Sequence, residues 1–134
     1  MINGINHITI SVRDIDSAFR FYKAVLGLVP IMKSSRSAYF LAGTTWLALN
    51  QETKHEPSKS YGHIAFDSDV DSFSTFVARV RASGVVEWQA NTTEGESLYF
   101  LDDSGNKLEI HASSLEARVL KGKAEWGQEV VWYV

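Results

Sequence analysis

The sequence predicts an α+β fold built from two βαβββ modules, and three observations carry that expectation. Gly62-His63-Ile-Ala-Phe-Asp repeats Asn6-His7-Ile-Thr-Ile-Ser, and Val70-Asp-Ser-Phe-Ser-Thr-Phe76 repeats Ile15-Asp-Ser-Ala-Phe-Arg-Phe21 once one residue is skipped. Short runs of alternating apolar and polar residues flank each helical stretch, which is the period of half-buried strands. Gly43-Thr-Thr-Trp-Leu-Ala-Leu-Asn also lies against Gly105-Asn-Lys-Leu-Glu-Ile-His, so the two halves end alike as well as begin alike. Repeats of this period occur in solenoids too, but two copies cannot make a stable stack, whereas paired modules can share a core. The expected organisation is one domain over 1–134, with modules at 5–50 and 61–111, a linker at 51–60, and a C-terminal helix and tail at 112–134.

Taken in order, Ile5–Val12 alternates, with Ile8, Ile10 and Val12 on one face and His7, Thr9 and Ser11 on the other. Asp14 can cap a helix from about Ile15 to Leu26, where Ile15, Ala18, Phe19, Tyr22 and Leu26 recur at helical spacing and Gly27 is a natural stop. Leu28–Lys33, Ala38–Ala42 and Trp46–Asn50 read as short strands, with turns at Ser34–Ser37 and Gly43–Thr45. Gln51–Ser60 is polar and aperiodic, an exposed loop in which His55 is expected to be solvated. The second helix is expected over Val70–Ser83, ending at Gly84 as the first ends at Gly27. Strands follow at Val85–Gln89, Ser97–Leu101 and Lys107–His111, the last two joined by Asp102-Asp103-Ser104-Gly105, which is turn chemistry. A short helix over Ser113–Leu120 precedes the tail Trp126–Val134, whose Val130, Val131, Trp132 and Tyr133 are expected to pack on the body or on a partner.

The chain has 134 residues, 45 % hydrophobic and 22 % charged, which is too apolar for disorder. A formal net charge of −3 and the lack of any Lys/Arg-rich run argue against nucleic acid and a membrane surface as partners. No window approaches the roughly 20 apolar residues of a membrane span, and no leader pattern is evident, so the cytoplasm is the default location. With 0 cysteines, disulfides and thiolate metal sites are excluded; a metal must be held by His or oxygen ligands, and a nucleophilic thiol must arrive with a substrate.

Those constraints direct attention to two histidines and a glutamate. His7 and His63 are equivalent by the repeat, each on the polar face near the start of a module's first strand. On the last strand Leu108 and Ile110 face one way while Lys107, Glu109 and His111 face the other. Each residue alone has a plainer reading, a core histidine bonded to backbone or a solvated strand carboxylate. Together, two histidines in register and one carboxylate can bind a divalent metal and leave positions open for substrate. Ala48, at the repeat position of Glu109, cannot add a ligand.

With these residues in place, the chain resembles the vicinal oxygen chelate (glyoxalase-like) superfamily, and most closely its metal-dependent fosfomycin-resistance glutathione transferases. The resemblance spans about residues 1–120. Its most specific piece is Asn91-Thr-Thr-Glu-Gly-Glu-Ser-Leu-Tyr-Phe-Leu-Asp, similar to that family's Asn-Arg-Ser-Glu-Gly-x-Ser-x-Tyr-Phe-Leu-Asp. The resemblance implies Mn2+ held by His7, His63 and Glu109, with Thr9 touching the epoxide oxygen. It implies K+ at Asn91, Glu94, Gly95 and Ser97, and a phosphonate held by Thr93, Tyr99 and Arg118 with Tyr39 and Trp46 closing the pocket. It further implies a domain-swapped homodimer in which each site takes His7 from one chain and His63 and Glu109 from its partner. The activity so implied is opening of fosfomycin by glutathione, conferring antibiotic resistance.

Two departures stand out: where the family has a lysine and an arginine beside this loop, the chain has Gln89 and Thr92. Each lost charge-assisted hydrogen bond to an anion is worth about 1.5–3 kcal/mol, which allows weaker binding or a changed substrate. Hydration by water needs a carboxylate base near the epoxide, and the 32–43 segment holds no Asp or Glu, so thiol addition is the preferred expectation. The competing readings are another metalloenzyme of this fold, such as a ring-cleaving dioxygenase, lactoylglutathione lyase or epoxide hydrolase, and a non-catalytic small-ligand binder.

Overall fold

The structure, a computed structural model, describes residues 1–92 and 94–134. Its elements run β1 (His7–Val12), α1 (Ile15–Arg20), β2 (Val29–Lys33), β3 (Ser37–Ala42), β4 (Thr45–Gln51), β5 (Ile64–Asp67), α2 (Phe73–Ala82), β6 (Glu87–Gln89), β7 (Glu96–Leu101), β8 (Lys107–Ala112) and α3 (Leu115–Glu125). They form two four-stranded sheets, ordered β1-β4-β3-β2 and β5-β8-β7-β6. In each, the outer first strand runs parallel to the last and the rest pair antiparallel. This is the α+β, twice-βαβββ architecture that the repeat predicts. The registers agree in detail, since Thr9 faces Ala48 in the first sheet as Ala65 faces Glu109 in the second.

Alternation builds the core. Ile10, Val12, Phe40, Leu47 and Leu49 from one sheet, and Leu98, Phe100, Leu108 and Ile110 from the other, join α1 and α2 residues in a single buried cluster. The polar strand faces, carrying His7 on one sheet and Glu109 on the other, therefore lie away from that core. Asp14 caps α1 through its side chain, which accepts from Ser17 N at 3.0 Å. After Arg20 the helix widens into a π-helical turn over Phe21–Val25, and Tyr22 within it is fully buried. Its hydroxyl donates to Asp102 Oδ2 at 2.7 Å, tying the first module to the β7–β8 turn of the second. Arg13 N to Ser104 Oγ at 2.9 Å, and Ser17 Oγ to Asp103 Oδ2 at 2.6 Å, reinforce the same junction.

Several local expectations need correction. α2 begins at Phe73, not Val70, because residues 70–72 form a turn in which Phe73 N reaches Val70 O at 3.4 Å. α3 continues past Leu120 to Glu125, since Gly122 is no stop but a buried contact: a Cβ there would fall 2.6 Å from Trp132 and 2.7 Å from Trp126. Those two indoles stack with centroids 5.8 Å apart, while Val131 and Tyr133, expected to pack, are exposed on this chain. His55 is not a freely solvated side chain. The linker folds back over the start of β8, so His55 is half-buried with Nε2 2.7 Å from Asn106 Oδ1. Among the described residues no helix is long and apolar enough to cross a membrane.

Candidate functional site

The parallel pairing of β5 with β8 sets Glu109 beside Ala65, two residues beyond His63. His63 and Glu109 meet there, with Nε2 2.9 Å from Oε1 and side chains only 16 % and 8 % exposed. The other ring nitrogen fixes the imidazole's orientation. Nδ1 lies 2.9 Å from the Tyr61 carbonyl, which can only accept, so Nδ1 donates there and Nε2 is the nitrogen turned toward the carboxylate. A proton on Nε2 satisfies this contact, and a metal cation bound by both groups can take that proton's place. An imidazole whose far N–H is held by a backbone carbonyl, next to a buried carboxylate, is the donor set that suits a borderline or hard divalent metal. The residues present fit such an ion.

Aromatic rings wall this pair. Tyr61, Trp88 and Tyr99 stand 5.1, 5.2 and 5.9 Å from the His63 ring. Trp88 is held by its Nε1 hydrogen bond to Leu108 O and lies under the Lys107 ammonium, whose Nζ also donates to the Ser58 and Ser60 carbonyls. The sequence reading missed Tyr61 and Trp88; strand alternation in β6 and the Tyr61-Gly62-His63 spacing were the available signals.

On the far side of Glu109, Ser97 Oγ approaches Oε2 at 2.6 Å and His111 Nδ1 at 2.6 Å. His111 Nε2 is 3.8 Å from Glu94 Oε1, and Glu94 in turn binds Arg118 Nε at 3.0 Å. Burial alone would raise the Glu94 carboxyl, but the hydrogen bond and charge of Arg118, with lesser help from its own backbone N–H and from His111, hold it below the usual range. Asn91 Nδ2 donates to Gly95 O at 3.0 Å, so Asn91, Glu94 and Gly95 lie in the loop that leads into β7, where Ser97 follows. Thr93, expected to contact substrate, lies outside the described residues.

The first module presents a second cluster. His7 is exposed, its Nδ1 donating to Asn6 Oδ1 at 2.8 Å, and its ring lies 4.4 Å from Trp46, which meets Tyr39 edge-on at 5.1 Å. Trp46 Nε1 is buried with no hydrogen-bond partner among the described residues. Thr9 shares with His63 and Lys107 a cleft of about 330 Å³. The structure thus brings together His63, Glu109, Tyr99, Ser97, Glu94 and Arg118 on one face and His7, Tyr39 and Trp46 on another. It does not join the histidines. Among the described residues no three His, Asp or Glu side chains of one chain are grouped to hold a metal ion.

Residues 4–110 match the model of the Glyoxalase/Bleomycin resistance protein/Dioxygenase superfamily. Metallothiol transferase FosB of Shouchella clausii is 39 % identical over 126 residues, covering 89 % of this chain and 86 % of that one. Glutathione transferase FosA of Serratia marcescens is 35 % identical over 123 residues, covering 89 % and 87 %. Among solved structures, the fosfomycin resistance protein FosX of Listeria monocytogenes, in complex with Mn(II) and sulfate, superposes with a TM-score of 0.80 at 29 % identity, covering 90 % and 98 %.

Proposed function

The chain belongs to the Glyoxalase/Bleomycin resistance protein/Dioxygenase superfamily and, within it, to the fosfomycin-resistance enzymes; from that premise we propose that it is a divalent-metal-dependent transferase that opens the epoxide of fosfomycin with a thiol, glutathione first among the candidates. The observation that carries this reading is the buried His63–Glu109 pair, an imidazole nitrogen and a carboxylate oxygen 2.9 Å apart. Manganese is the first choice of metal, because the donor set is nitrogen and oxygen only and the Listeria protein was solved with Mn(II).

Bound by His63 and Glu109, with His7 from a second copy, the ion would supply Lewis acidity toward a substrate oxygen. The chain's own groups have separate tasks. The Tyr61 carbonyl keeps the His63 proton on Nδ1 and so keeps Nε2 available. Ser97 ties one Glu109 oxygen, leaving the other for coordination. Glu94 engages Arg118 through Nε, which leaves the terminal N–H groups of the guanidinium with no hydrogen bond among the described residues and able to grip a phosphonate side-on. Tyr61, Trp88 and Tyr99, facing Trp46 and Tyr39 of a second copy, would exclude water and favour a thiol over hydrolysis. Thr9, which lines the cleft with His63, would contact the epoxide oxygen.

His7 stands apart from His63 and Glu109 within one chain, which supports a homodimer whose sites are shared between copies. In the loop, the Glu94 carboxylate, Gly95 carbonyl and Ser97 hydroxyl, with Asn91, offer oxygens suited to K+. Thiol addition is favoured over water because β2 and β3 contain no Asp or Glu. The test is mass spectrometry of fosfomycin incubated with the protein, Mn2+ and K+, with and without glutathione. The expected product is the thiol adduct; a diol formed equally without thiol, or no product with metal bound, would refute the assignment.

A further inference from the structure

We propose that His111 is a positioning residue that fixes the Glu109 carboxylate for metal binding by dictating where the Ser97 hydroxyl sends its proton. The inference rests on the reading of His63 and Glu109 as metal ligands and assigns a role to a residue that does not itself contact the metal.

Ser97 Oγ sits 2.6 Å from Glu109 Oε2 and 2.6 Å from His111 Nδ1, and it has a single proton to give. A carboxylate oxygen can only accept, so the serine proton points at Glu109. His111 must then supply a proton of its own, and Nδ1 is the donor. The hydroxyl is thereby held from both sides, donating to one neighbour and accepting from the other.

Sheet geometry makes this arrangement rigid. Ser97 and His111 are direct cross-strand partners in the β7–β8 register, and Tyr99 and Glu109 are the next pair on the same face. With Oε2 fastened to Ser97, Oε1 is left facing His63 Nε2 at 2.9 Å. Remove the His111 N–H and the serine hydroxyl regains its rotation, so the carboxylate loses its fixed orientation. Groups that orient metal ligands in this way typically change metal affinity 10- to 100-fold when removed.

Side-chain isosteres separate this role from general packing. The amide nitrogen of asparagine falls where Nδ1 of histidine lies, whereas that of glutamine falls nearer Nε2. The experiment is Mn2+ titration of the purified full-length protein followed by electron paramagnetic resonance of the free ion, comparing wild type, His111→Asn, His111→Gln and Ser97→Ala. Circular dichroism of each apo-protein serves as the folding control. The expected result is near-wild-type affinity for His111→Asn and a loss of about 10- to 100-fold for His111→Gln and Ser97→Ala. The double variant His111→Gln/Ser97→Ala should be no worse than Ser97→Ala, because the two residues act in series. Equal affinity in wild type and His111→Gln, or a His111→Asn as weak as His111→Gln, would overturn the role of His111 while leaving the metal site standing. A wild type that binds no Mn2+ would overturn the metal reading itself and this inference with it.

Discussion

Replacing Tyr22 with phenylalanine removes one hydroxyl and tests how the two modules of a chain are held. Asp102 is 5 % exposed and its carboxylate accepts from Tyr22 Oη at 2.7 Å, Ser104 N at 2.8 Å, and Asn106 N and Nδ2 at 2.9 Å each. Without the hydroxyl, Oδ2 keeps its bond from Asn106 Nδ2, so the charge is not orphaned. The cost should therefore lie near the low end for a hydrogen bond to a charged group, about 1–2 kcal/mol. With an unfolding entropy of about 2.1 cal/mol/K per residue, that lowers Tm by about 4–7 °C. Asp102→Ala, which strands all those donors, should cost at least about 3 kcal/mol. The pH dependence gives a second signature. Burial, then the charge and hydrogen bond of Asp102, push the Tyr22 hydroxyl well above its ordinary value of 10.0. A raised pKa means the contribution is complete below 10.0 and is lost as the pH rises through the folded value. The gap between wild type and Tyr22→Phe should thus be constant at neutral pH and shrink in strong alkali. Thermal melts by circular dichroism decide the matter; an unchanged Tm for Tyr22→Phe would refute this account of the junction.

Further expectations address the site and the tail. Gln89, whose Nε2 is 3.5 Å from the Tyr61 hydroxyl, stands where the resemblance implies a lysine. Gln89→Lys should lower the KM for fosfomycin about 10-fold by adding one charge-assisted hydrogen bond to the phosphonate, as steady-state kinetics would reveal. Because Glu94 has a lowered pKa, its contribution to stability is present above its ordinary value of 4.5 and is lost as the pH falls below it. Urea midpoints of wild type and Glu94→Gln should therefore converge in acid, and Glu94→Gln should raise KM more than it lowers kcat. Gly122→Ala would gain about 1 kcal/mol of helix propensity yet place its Cβ 2.6 Å from Trp132. The clash should unstack the indoles and shift tryptophan fluorescence to the red.

The fold was legible because it is written twice. The repeat of His7-Ile-Thr-Ile in His63-Ile-Ala-Phe, and of Ala48 with Glu109, carries through to matching sheet registers. Alternation placed Glu109 and His111 on one strand face, and they do share it, but no pattern within a strand reveals that Ser97 is the direct cross-strand partner of His111. Pairing across a hairpin is set by the turn, and the six-residue β7 and β8 could have been aligned in more than one way. The length of the last helix was missed for a related reason: Gly122 admits two indoles from residues further along the chain, and no local pattern announces that packing. His55 looked solvated because polar loops are normally exposed, and its contact with Asn106 spans 51 positions. The separation of His7 from His63 was likewise beyond the strand patterns, which define the face of each sheet but not how two sheets stack.

The central claim is that a metal-dependent site for opening fosfomycin is assembled from two copies of the chain, and mixed dimers test it most directly. His7→Ala and Glu109→Ala should each be inactive alone, since every site lacks one ligand. After the two proteins are unfolded together and refolded with Mn2+ and glutathione, half of the dimers carry one intact site, so loss of the fosfomycin signal in phosphorus NMR should return at about a quarter of the wild-type rate. A mixture as inactive as its components, although wild type refolded in the same way is active, would contradict the shared site.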